Sequence, residues 1–458
     1  MTTPHPAADS ITPSPAPAAD SPALRRLREF GRAPRIVALD IARGLAVLGM
    51  AAAHTVALPG EILWNDSSTW VEIVSGRSSI LFAVLAGVSI AIMTGRTRVP
   101  RGAELGPLRL RLIGRGLVIF AIGLVLELLG TNIAVILTFY GAVYAVAILF
   151  IGVRIRTLLI WAAGLAVVGP ALVAAIIALS GSADGSGIGF LLNGTYSIVP
   201  WTALMLAGLA LGRLDLTRRR TAALTLLVGI VLSAVGYTAG ALWGDAAYED
   251  ESGPFLSSSS SSSSDDVPYP SVIPGDEADL SGMLCEDYGD GYLSCYPEEE
   301  YVEFPSEESL GDDEWLPEEG GNGWESYPQS IAESDMGGTV FAAFISSGPH
   351  SGGSMEILGS GGFALAVIGL LLLTGQALRY VLLPIAAIGS MPLTAYTAHV
   401  IAIWIVIGPS GWTQPALLYP FLAAGLLVAC TAWAIFVGRG PLERLTARIS
   451  ARLSPAQR

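Results

Sequence analysis

The feature that most constrains this chain is a series of apolar runs that repeat along its length. Most are about 18 to 25 residues long, which is what a helix needs to cross the hydrocarbon core of a bilayer. The 458 residues are 52% hydrophobic and have a mean hydropathy of +0.57, whereas soluble proteins are rarely so apolar. We therefore predict an all-α polytopic membrane protein with about ten transmembrane helices.

The predicted spans lie near residues 36–58, 71–94, 116–130, 133–152, 157–179, 198–212, 222–243, 356–375, 380–408 and 416–438. All 25 basic residues are arginine, so a Schiff-base lysine is excluded. With this order of spans, the arginines of the loops fall on one side of the membrane. The positive-inside rule then predicts a multi-pass plasma-membrane protein with both termini in the cytosol.

The spans divide the chain into five predicted segments. These are a disordered cytosolic tail (1–34), an N-terminal transmembrane domain of seven helices (35–244), an acidic Ser-rich extracytoplasmic loop (245–355), the C-terminal transmembrane helices (356–438) and a basic cytosolic tail (439–458). The loop holds most of the acid behind the net charge of −14. It contains an octaserine run and is rich in Pro and Gly, so we predict that it is mostly disordered. An oxidising compartment would allow Cys285 and Cys295 of this loop to form a small disulfide.

The first predicted span carries three ionisable residues, Asp40, Arg43 and His54. On a helix they fall within an arc of about 60°, and His54 lies about 16 Å further along than Arg43. Ionisable groups inside a membrane are functional candidates by default. The structural alternatives are that Asp40 and Arg43 only form an i, i+3 ion pair at the interface, and that His54 only bonds a neighbouring helix.

Other polar residues are predicted to gather at the outer mouth of the protein. Glu61 and Glu72 are candidates for assisting His54 if it acts as a catalytic base. Arg77, Glu127 and His350 are candidates for binding a substrate at the outer face. A structural alternative is that Glu72, Arg77 and Glu127 neutralise one another, because an unpaired arginine there is expensive.

The ninth predicted span contains Pro392 and a second mid-membrane histidine, His399. Pro392 is predicted to break or kink the helix, and Thr394, Tyr396 and Thr397 could satisfy the freed backbone groups. His399 is a substrate-binding candidate, with a structural hydrogen bond to a neighbouring helix as the alternative.

Several function classes lack the sequence signals that they require. No Cys/His cluster indicates zinc, and we predict no metal site. No P-loop, dinucleotide fingerprint or serine nucleophile elbow occurs, and nothing supports nucleic-acid binding.

The first helix resembles that of the transmembrane acyltransferase superfamily. The similarity lies in Arg35-xxxx-Asp40-xx-Arg43-Gly44, followed by an apolar run that ends in His54. Trp64-Asn65 and Leu85-Ala-Gly87-Val-Ser89 resemble the next loop and helix of the heparan-alpha-glucosaminide N-acetyltransferase-like branch.

Two later stretches, Pro349-His350-Ser351-Gly352 and Met391-Pro-Leu-Thr394-Ala-Tyr396, resemble bacterial, especially actinobacterial, relatives of unknown function. The resemblance covers the membrane part of the chain and leaves out the acidic loop.

The resemblance implies transfer of an acyl group, usually acetyl, from cytosolic acyl-CoA to a sugar-containing acceptor at the outer face. It implies that His54 is catalytic and that Asp40 and Arg43 bind the donor. The chain departs from the heparan-type pattern at two positions: Glu61 stands where that branch has histidine, and His54 stands where it has asparagine. An acyl-histidine route is therefore in doubt, and we expect His54 to act as a base, aided by Glu61 or Glu72.

Three functional hypotheses remain open from the sequence. The first is an acyl-CoA-dependent O- or N-acyltransferase acting on a glycan or glycolipid of the cell envelope. The second is a proton- or solute-coupled transporter in which Asp40, His54 and His399 form a relay. The third is a structural membrane protein whose acidic outer segment binds partners or cations. Homo-oligomerisation is open under each of them.

Overall fold

The structure is a computed structural model. It describes residues 22–30, 32, 35–180, 197–248, 283–287, 293–297, 327–328, 331, 335–411, 413 and 415–453. The chain divides into two compact units, Met1–Ser258 with Asp335–Arg458, and Ser259–Ser334. Every residue of the candidate site belongs to the first unit.

The described secondary structure of the first unit consists of helices alone, which confirms the predicted fold class. Its helices are α1 (Pro22–Glu29), α2 (Val37–Ala53), α3 (Arg77–Met93), α4 (Leu105–Glu127), α5 (Ile136–Phe150), α6 (Ile155–Val167), α7 (Gly169–Ser180), α8 (Ile198–Gly212), α9 (Arg219–Tyr248), α10 (Met336–Ile345), α11 (Ser354–Thr374), α12 (Leu383–Ser390), α13 (Pro392–Ile407), α14 (Leu418–Phe436) and α15 (Pro441–Leu453). Two short 3-10 helices, Ser67–Val74 and Gly102–Glu104, precede α3 and α4.

Each predicted span coincides with one helix or with a bent pair of helices. By length and hydropathy, 4 described helices could cross a membrane, and up to 6 spans result if each bent pair counts as one. The four are Ser67–Met93, Arg219–Trp243, Ser354–Thr374 and Leu418–Phe436. The chain is therefore a membrane protein, while the predicted number of about ten spans stays a prediction.

Helix α2 lies in the core and crosses α12 at close range. A Cβ atom added to Gly44 would lie 2.0 Å from the carbonyl oxygen of Ile385, and one added to Gly389 would lie 1.7 Å from the carbonyl oxygen of Asp40. Only glycine permits two helix backbones to approach so closely. This crossing joins the first predicted span directly to the helices at the C-terminal end of the chain.

The chain bends by 92° between α12 and α13, at the predicted proline break. The first amide groups of α13 are bound by Glu443 of α15, whose Oε1 accepts from Leu393 N at 2.8 Å and from Thr394 N at 3.1 Å. Its Oε2 accepts from the Thr394 hydroxyl at 2.5 Å. The expectation that local hydroxyls satisfy these groups is therefore wrong: a carboxylate 50 residues away does so.

The other hydroxyls near the break serve different purposes. The Tyr396 hydroxyl accepts from Ile136 N at 3.3 Å. The Thr397 hydroxyl is buried without a hydrogen-bond partner among the described residues.

Helices α9 and α11 pack through glycines along most of their length. A Cβ atom on Gly229 would lie 2.3 Å from Ala366 N, and one on Gly236 would lie 2.3 Å from Gly359 N. Such small-residue contacts let membrane helices approach one another closely. The outer face of α9 carries exposed aliphatic side chains, Leu224, Leu227, Val228, Ile230, Val231 and Val235, as expected where a helix faces lipid.

Two helices lie in segments that were predicted to be a loop and a tail. The apolar helix α10 lies inside the segment predicted as a loop, because its ten residues are too short a run to read as a span. The basic tail forms α15, which packs on α4 where Gly114 meets Leu453 and Ser450.

In the second unit, strand β1 (Met283–Asp287) pairs antiparallel with β2 (Leu293–Pro297), and Cys285 is opposite Cys295 in the register. The predicted disulfide concerns side chains outside the described part of the chain.

Candidate functional site

At the N-terminal end of α2, Asp40 is the centre of a buried ionic cluster. Its side chain is 6% exposed and accepts from Arg43 Nη1 at 2.8 Å on one oxygen and from Arg35 Nε on the other. Arg43 Nη2 also donates to the Ser89 hydroxyl of α3 at 3.0 Å. The structure thus brings the two predicted donor-binding residues together. Arg35, which is 43% exposed and stacks over Phe30, is the accessible cation of the cluster.

A further arginine adds positive charge at the same end of the bundle. Arg115 of α4 donates to the Tyr144 hydroxyl at 3.3 Å and is close enough to Arg43 to act on it electrostatically. Arg115 was not among the site residues predicted from the sequence. Its position could not have been predicted from the sequence, because the contact between Arg115 and Tyr144 joins two helices and no local motif indicates it.

The other end of α2 brings two histidines into contact. His54 Nδ1 lies 3.1 Å from His399 Nε2, and the rings stack with centroids 5.4 Å apart and an interplanar angle of 12°. Tyr396 packs edge-on against His399 at 4.7 Å. His399 is completely buried, whereas His54 is only partly so. The sequence singled out both histidines but did not predict that they pair.

This pairing limits which nitrogen of His54 can carry a proton. If both rings are neutral, one of the two facing nitrogens must donate and the other accept. When His54 Nδ1 donates, its Nε2 keeps a lone pair and can accept a proton from a substrate. In that tautomer His399 accepts at Nε2, and the contact fixes the orientation of the His54 ring.

A short loop before α11 places His350 near His54, close enough for an electrostatic effect. The Glu356 carboxylate holds this loop by accepting from His350 N at 2.7 Å and from Gly352 N at 2.8 Å. His350 has a φ of 63°, a left-handed conformation that a non-glycine residue adopts only when its surroundings fix it. Burial lowers the pKa of the His350 imidazole, so this ring is neutral near pH 7. The contacts by which Glu356 holds this loop were not predicted from the sequence.

Arg77 begins α3 and bonds to α9 rather than to the acidic residues proposed to neutralise it. Its Nε donates to the Tyr237 hydroxyl at 2.7 Å, and its Nη1 donates to the carbonyl oxygen of Glu72 at 3.1 Å. The Tyr237 hydroxyl in turn bonds the Ser360 hydroxyl at 2.8 Å. Within the described ranges, no carboxylate oxygen comes within 4.0 Å of the Arg77 guanidinium.

The predicted acidic residues take separate positions. The buried Glu72 accepts from Gly60 N at 3.1 Å, which closes the loop after α2. Glu127 is exposed and accepts from the Thr138 hydroxyl at 2.7 Å. Glu61 is exposed in the same loop as Gly60. The mutual neutralisation of Glu72, Arg77 and Glu127 does not occur among the described ion pairs.

The arrangement offers acid–base chemistry. Among the described residues, no group of three His, Cys, Asp or Glu side chains is arranged to hold a metal ion. A cationic cluster able to bind an anion lies at one end of α2, and a histidine able to act as a base lies at the other.

Comparison with known protein families finds a match over part of this chain. Residues 35–236 match the family model described as heparan-alpha-glucosaminide N-acetyltransferase, catalytic. No curated protein and no solved structure matches the chain. The matched segment contains Asp40, Arg43, His54 and Arg77, and the family indicates membrane acetyltransferase activity. Over residues 35–236 the chain is therefore similar to the catalytic domain of the heparan-alpha-glucosaminide N-acetyltransferase-like transmembrane acyltransferases.

Proposed function

We propose that this protein transfers an acetyl group from acetyl-CoA to a hydroxyl or amine of an envelope glycan or glycolipid on the opposite side of the membrane. One observation carries the proposal: a single helix of the matched segment, α2, joins the arginine cluster to the histidine pair. Arg43 and His54 lie on the same face of this helix, about 16 Å apart along its axis. A donor bound by its phosphates at one end can extend its thioester towards the other.

The arginine cluster suits the phosphate groups of a CoA donor. Arginine recognises phosphate through paired, charge-assisted hydrogen bonds. Arg43 already donates hydrogen bonds to Asp40 and Ser89, so its role is to hold the cluster together. Arg35 is exposed beside it and supplies the charge that meets the donor. The arginine distribution in the loops supports a cytosolic position for this end.

His54 supplies the base at the other end of the helix. As the acceptor oxygen or nitrogen forms its bond to the thioester carbonyl carbon, its proton passes to His54 Nε2. The carbon–sulfur bond then breaks, and the CoA thiolate takes that proton from His54. No acyl-enzyme is needed, so the substitution of Glu61 for the histidine of the heparan-type branch has no effect on this route. Assistance by Glu61 or Glu72 stays a prediction, as do the acceptor-binding roles of Glu127 and His350.

The transporter hypothesis uses the same histidine contact as part of a proton relay. Asp40 lies 14 positions before His54, or about 21 Å along the helix, so the relay would need further groups between them. The family match favours the transferase. A transporter would move protons or solute without consuming acetyl-CoA, which separates the two functions by experiment.

The test uses purified wild type and His54→Gln with radiolabelled acetyl-CoA and an extract of envelope glycans and glycolipids. Wild type is expected to bind the donor and label the extract. The variant is expected to bind the donor as well and to lose transfer by a factor of about 10² to 10⁴, the usual contribution of a general base. Folded wild type that binds no acetyl-CoA would overturn the proposal, and so would equal transfer by the two proteins.

A further inference from the structure

We propose that a groove between α9 and α11 binds the hydrocarbon tail of an anionic, phosphate-bearing lipid whose headgroup rests at Arg77. The groove has a volume of about 330 Å³ and is lined chiefly by Ile230, Ala234, Tyr237, Phe363 and Ala366. If this lipid carries the acceptor group, the substrates of the proposed function are lipid-linked glycans, and this step rests on the proposed function. The binding of the lipid in the groove does not depend on the proposed function.

Glycines bring the two helices close together beside the groove. The Tyr237 ring lies against Gly359, where an added Cβ would come within 3.0 Å of the ring. A Cβ atom added to Gly362 would similarly lie 2.4 Å from Ser233 N. The small residue Ala234, one turn before Tyr237, leaves the space beside this contact unfilled.

Hydrocarbon is the natural occupant of this space in a bilayer. Both α9 and α11 contain segments long and apolar enough to span a membrane. The rim residue Ile230 is 52% exposed, and it belongs to the aliphatic outer face of α9. From Ile230 to Tyr237 the groove follows two turns of helix, or about 10 Å, which is enough for part of an acyl or isoprenoid chain.

Tyr237 connects the apolar groove to a cation. The Arg77 guanidinium donates to the Tyr237 hydroxyl and lies over its ring, 4.9 Å from the centroid. Arg77 is half-buried, and no described carboxylate lies within ion-pairing distance of it. The Glu356 carboxylate is near enough to act on Arg77 electrostatically but forms no ion pair with it, so the guanidinium can still bind an anion, and phosphate matches its planar geometry.

The order of these groups matches the orientation of a membrane lipid. Tyr237 is two turns farther from the arginine-rich start of α9 than Ile230 is, so the polar end of the groove is the end away from that start. A lipid with its phosphate at Arg77 would lay its tail along α9 towards the middle of the membrane. The headgroup would then lie on the side of the bundle where His54 is found.

The test is photolabelling of the full-length protein in nanodiscs, with transfer activity measured separately. The probes are a phosphatidic acid with a diazirine on one acyl chain and the corresponding diacylglycerol. The variants are Ala234→Trp and the milder Ala234→Leu, which fill the groove, and Arg77→Gln, which removes the cation. Val231→Trp is the matched control, because Val231 lies on the exposed face of α9 outside the groove.

We expect the phosphatidic acid probe to label peptides of α9 and α11 in wild type and in Val231→Trp. Labelling should fall about tenfold in both Ala234 variants, and Arg77→Gln should lose a preference of about tenfold for phosphatidic acid over diacylglycerol, as expected for one charge-assisted contact. Labelling of folded Ala234→Leu at the wild-type level would overturn the proposal. So would equal labelling of every lipid-facing helix.

The same preparations separate this inference from the proposed function. Specific labelling without any acetyl transfer would retain the lipid site and count against the transferase. Transfer to a soluble glycan alone, with no specific labelling, would retain the transferase and exclude the lipid site.

Discussion

At the scale of single residues, the ionisable groups at the two ends of α2 differ in their partners. Asp40 is buried with two arginines, so that its desolvation is offset by strong ionic hydrogen bonds. His54 has no such partner in the described ranges and faces another histidine. An arginine cluster can bind an anion without changing protonation, whereas a histidine pair is suited to exchange a proton.

The partner of His54 provides a test at this scale. His399→Leu removes the group that orients the imidazole, so kcat for acetyl transfer should fall about 10- to 100-fold, with KM for acetyl-CoA unchanged. His399→Gln can still bond His54 Nδ1 and should recover part of the loss. Steady-state kinetics of wild type and the two variants measures kcat and KM separately. An increase in KM without loss of kcat would assign His399 to donor binding.

His350 gives a test by pH. Its pKa is lowered by burial in the folded protein, so below about pH 6.5 the unfolded chain binds the proton more readily than the native state does. This histidine therefore stabilises the fold above its unfolded pKa, and that contribution is lost as the pH falls. His350→Asn, which tolerates the positive φ, should be less destabilised than wild type between pH 7.5 and about pH 5. Thermal unfolding in detergent measures the difference, and parallel curves for the two proteins would contradict it.

At the scale of elements, the last helix of the chain positions the helix that carries His399. Glu443 of α15 binds the first two amides of α13, as a capping residue does, but from a different helix. The bend before α13 leaves these amides without helical partners, and the carboxylate also matches the positive end of the α13 dipole. The C-terminal helix is thus connected to the proposed base through α13.

Removing this cap should be measurable. Glu443→Ala is expected to lower the free energy of unfolding by about 1–2 kcal/mol and to reduce transfer by displacing His399. Glu104→Ala is the control, because Glu104 pairs with Arg98 on the surface and exposed pairs contribute about 0–1 kcal/mol. Equal stability of the two variants in denaturant titration would show that the cap is unimportant.

The crossing of α2 and α12 gives a second test of packing. Gly389→Ala places a methyl group against the backbone of Asp40 and should cost about 1–3 kcal/mol of unfolding free energy. Gly425→Ala in α14 is the matched control, because its added Cβ would meet nothing within 4 Å. Alanine there should be neutral or stabilising by about 0.5–1 kcal/mol. Similar losses in both variants would contradict the close crossing.

At the scale of the whole molecule, the family match covers only part of the site. Residues 35–236 contain Arg43, His54 and Arg77, whereas His399, Glu356 and Glu443 come from the helices after Asp335. The C-terminal helices therefore contribute residues to the candidate site. The segment Ser259–Ser334 is a separate compact unit and contributes none of the site residues described above.

This division predicts the effect of a deletion. Replacing residues 259–334 with a short Gly/Ser linker should leave acetyl-CoA binding and His54-dependent transfer within about twofold of wild type, because long connections are tolerated at small entropic cost. The thermal midpoint of the remaining protein should be unchanged. Loss of function in this variant, together with full function in His54→Ala, would favour the scaffold hypothesis.

The helical membrane fold was predictable because its signal, the hydropathy of consecutive residues, can be read from short stretches of the sequence. Apolar runs predict membrane helices from composition alone, and Pro392 predicts the bend from its missing amide. The site was predictable only where one helix carries it. The spacing of Asp40, Arg43 and His54 follows from helical geometry. Glu443, Arg115 and Tyr237 were missed because each acts on a residue far away in sequence, and no local signal specifies that contact.

The central claim is that α2 carries an acetyl donor site at its Arg43 end and an acetyl transfer site at its His54 end. The most direct test is transfer across a membrane by wild type and His54→Gln in proteoliposomes of determined orientation, with the acceptor extract sealed inside. Radiolabelled acetyl-CoA is added outside, where the arginine-rich end of the oriented protein is exposed. The account predicts that label accumulates on the enclosed acceptor with wild type and not with the variant. Label that appears only when donor and acceptor share the same side, or an absence of labelling by folded wild type, would contradict it.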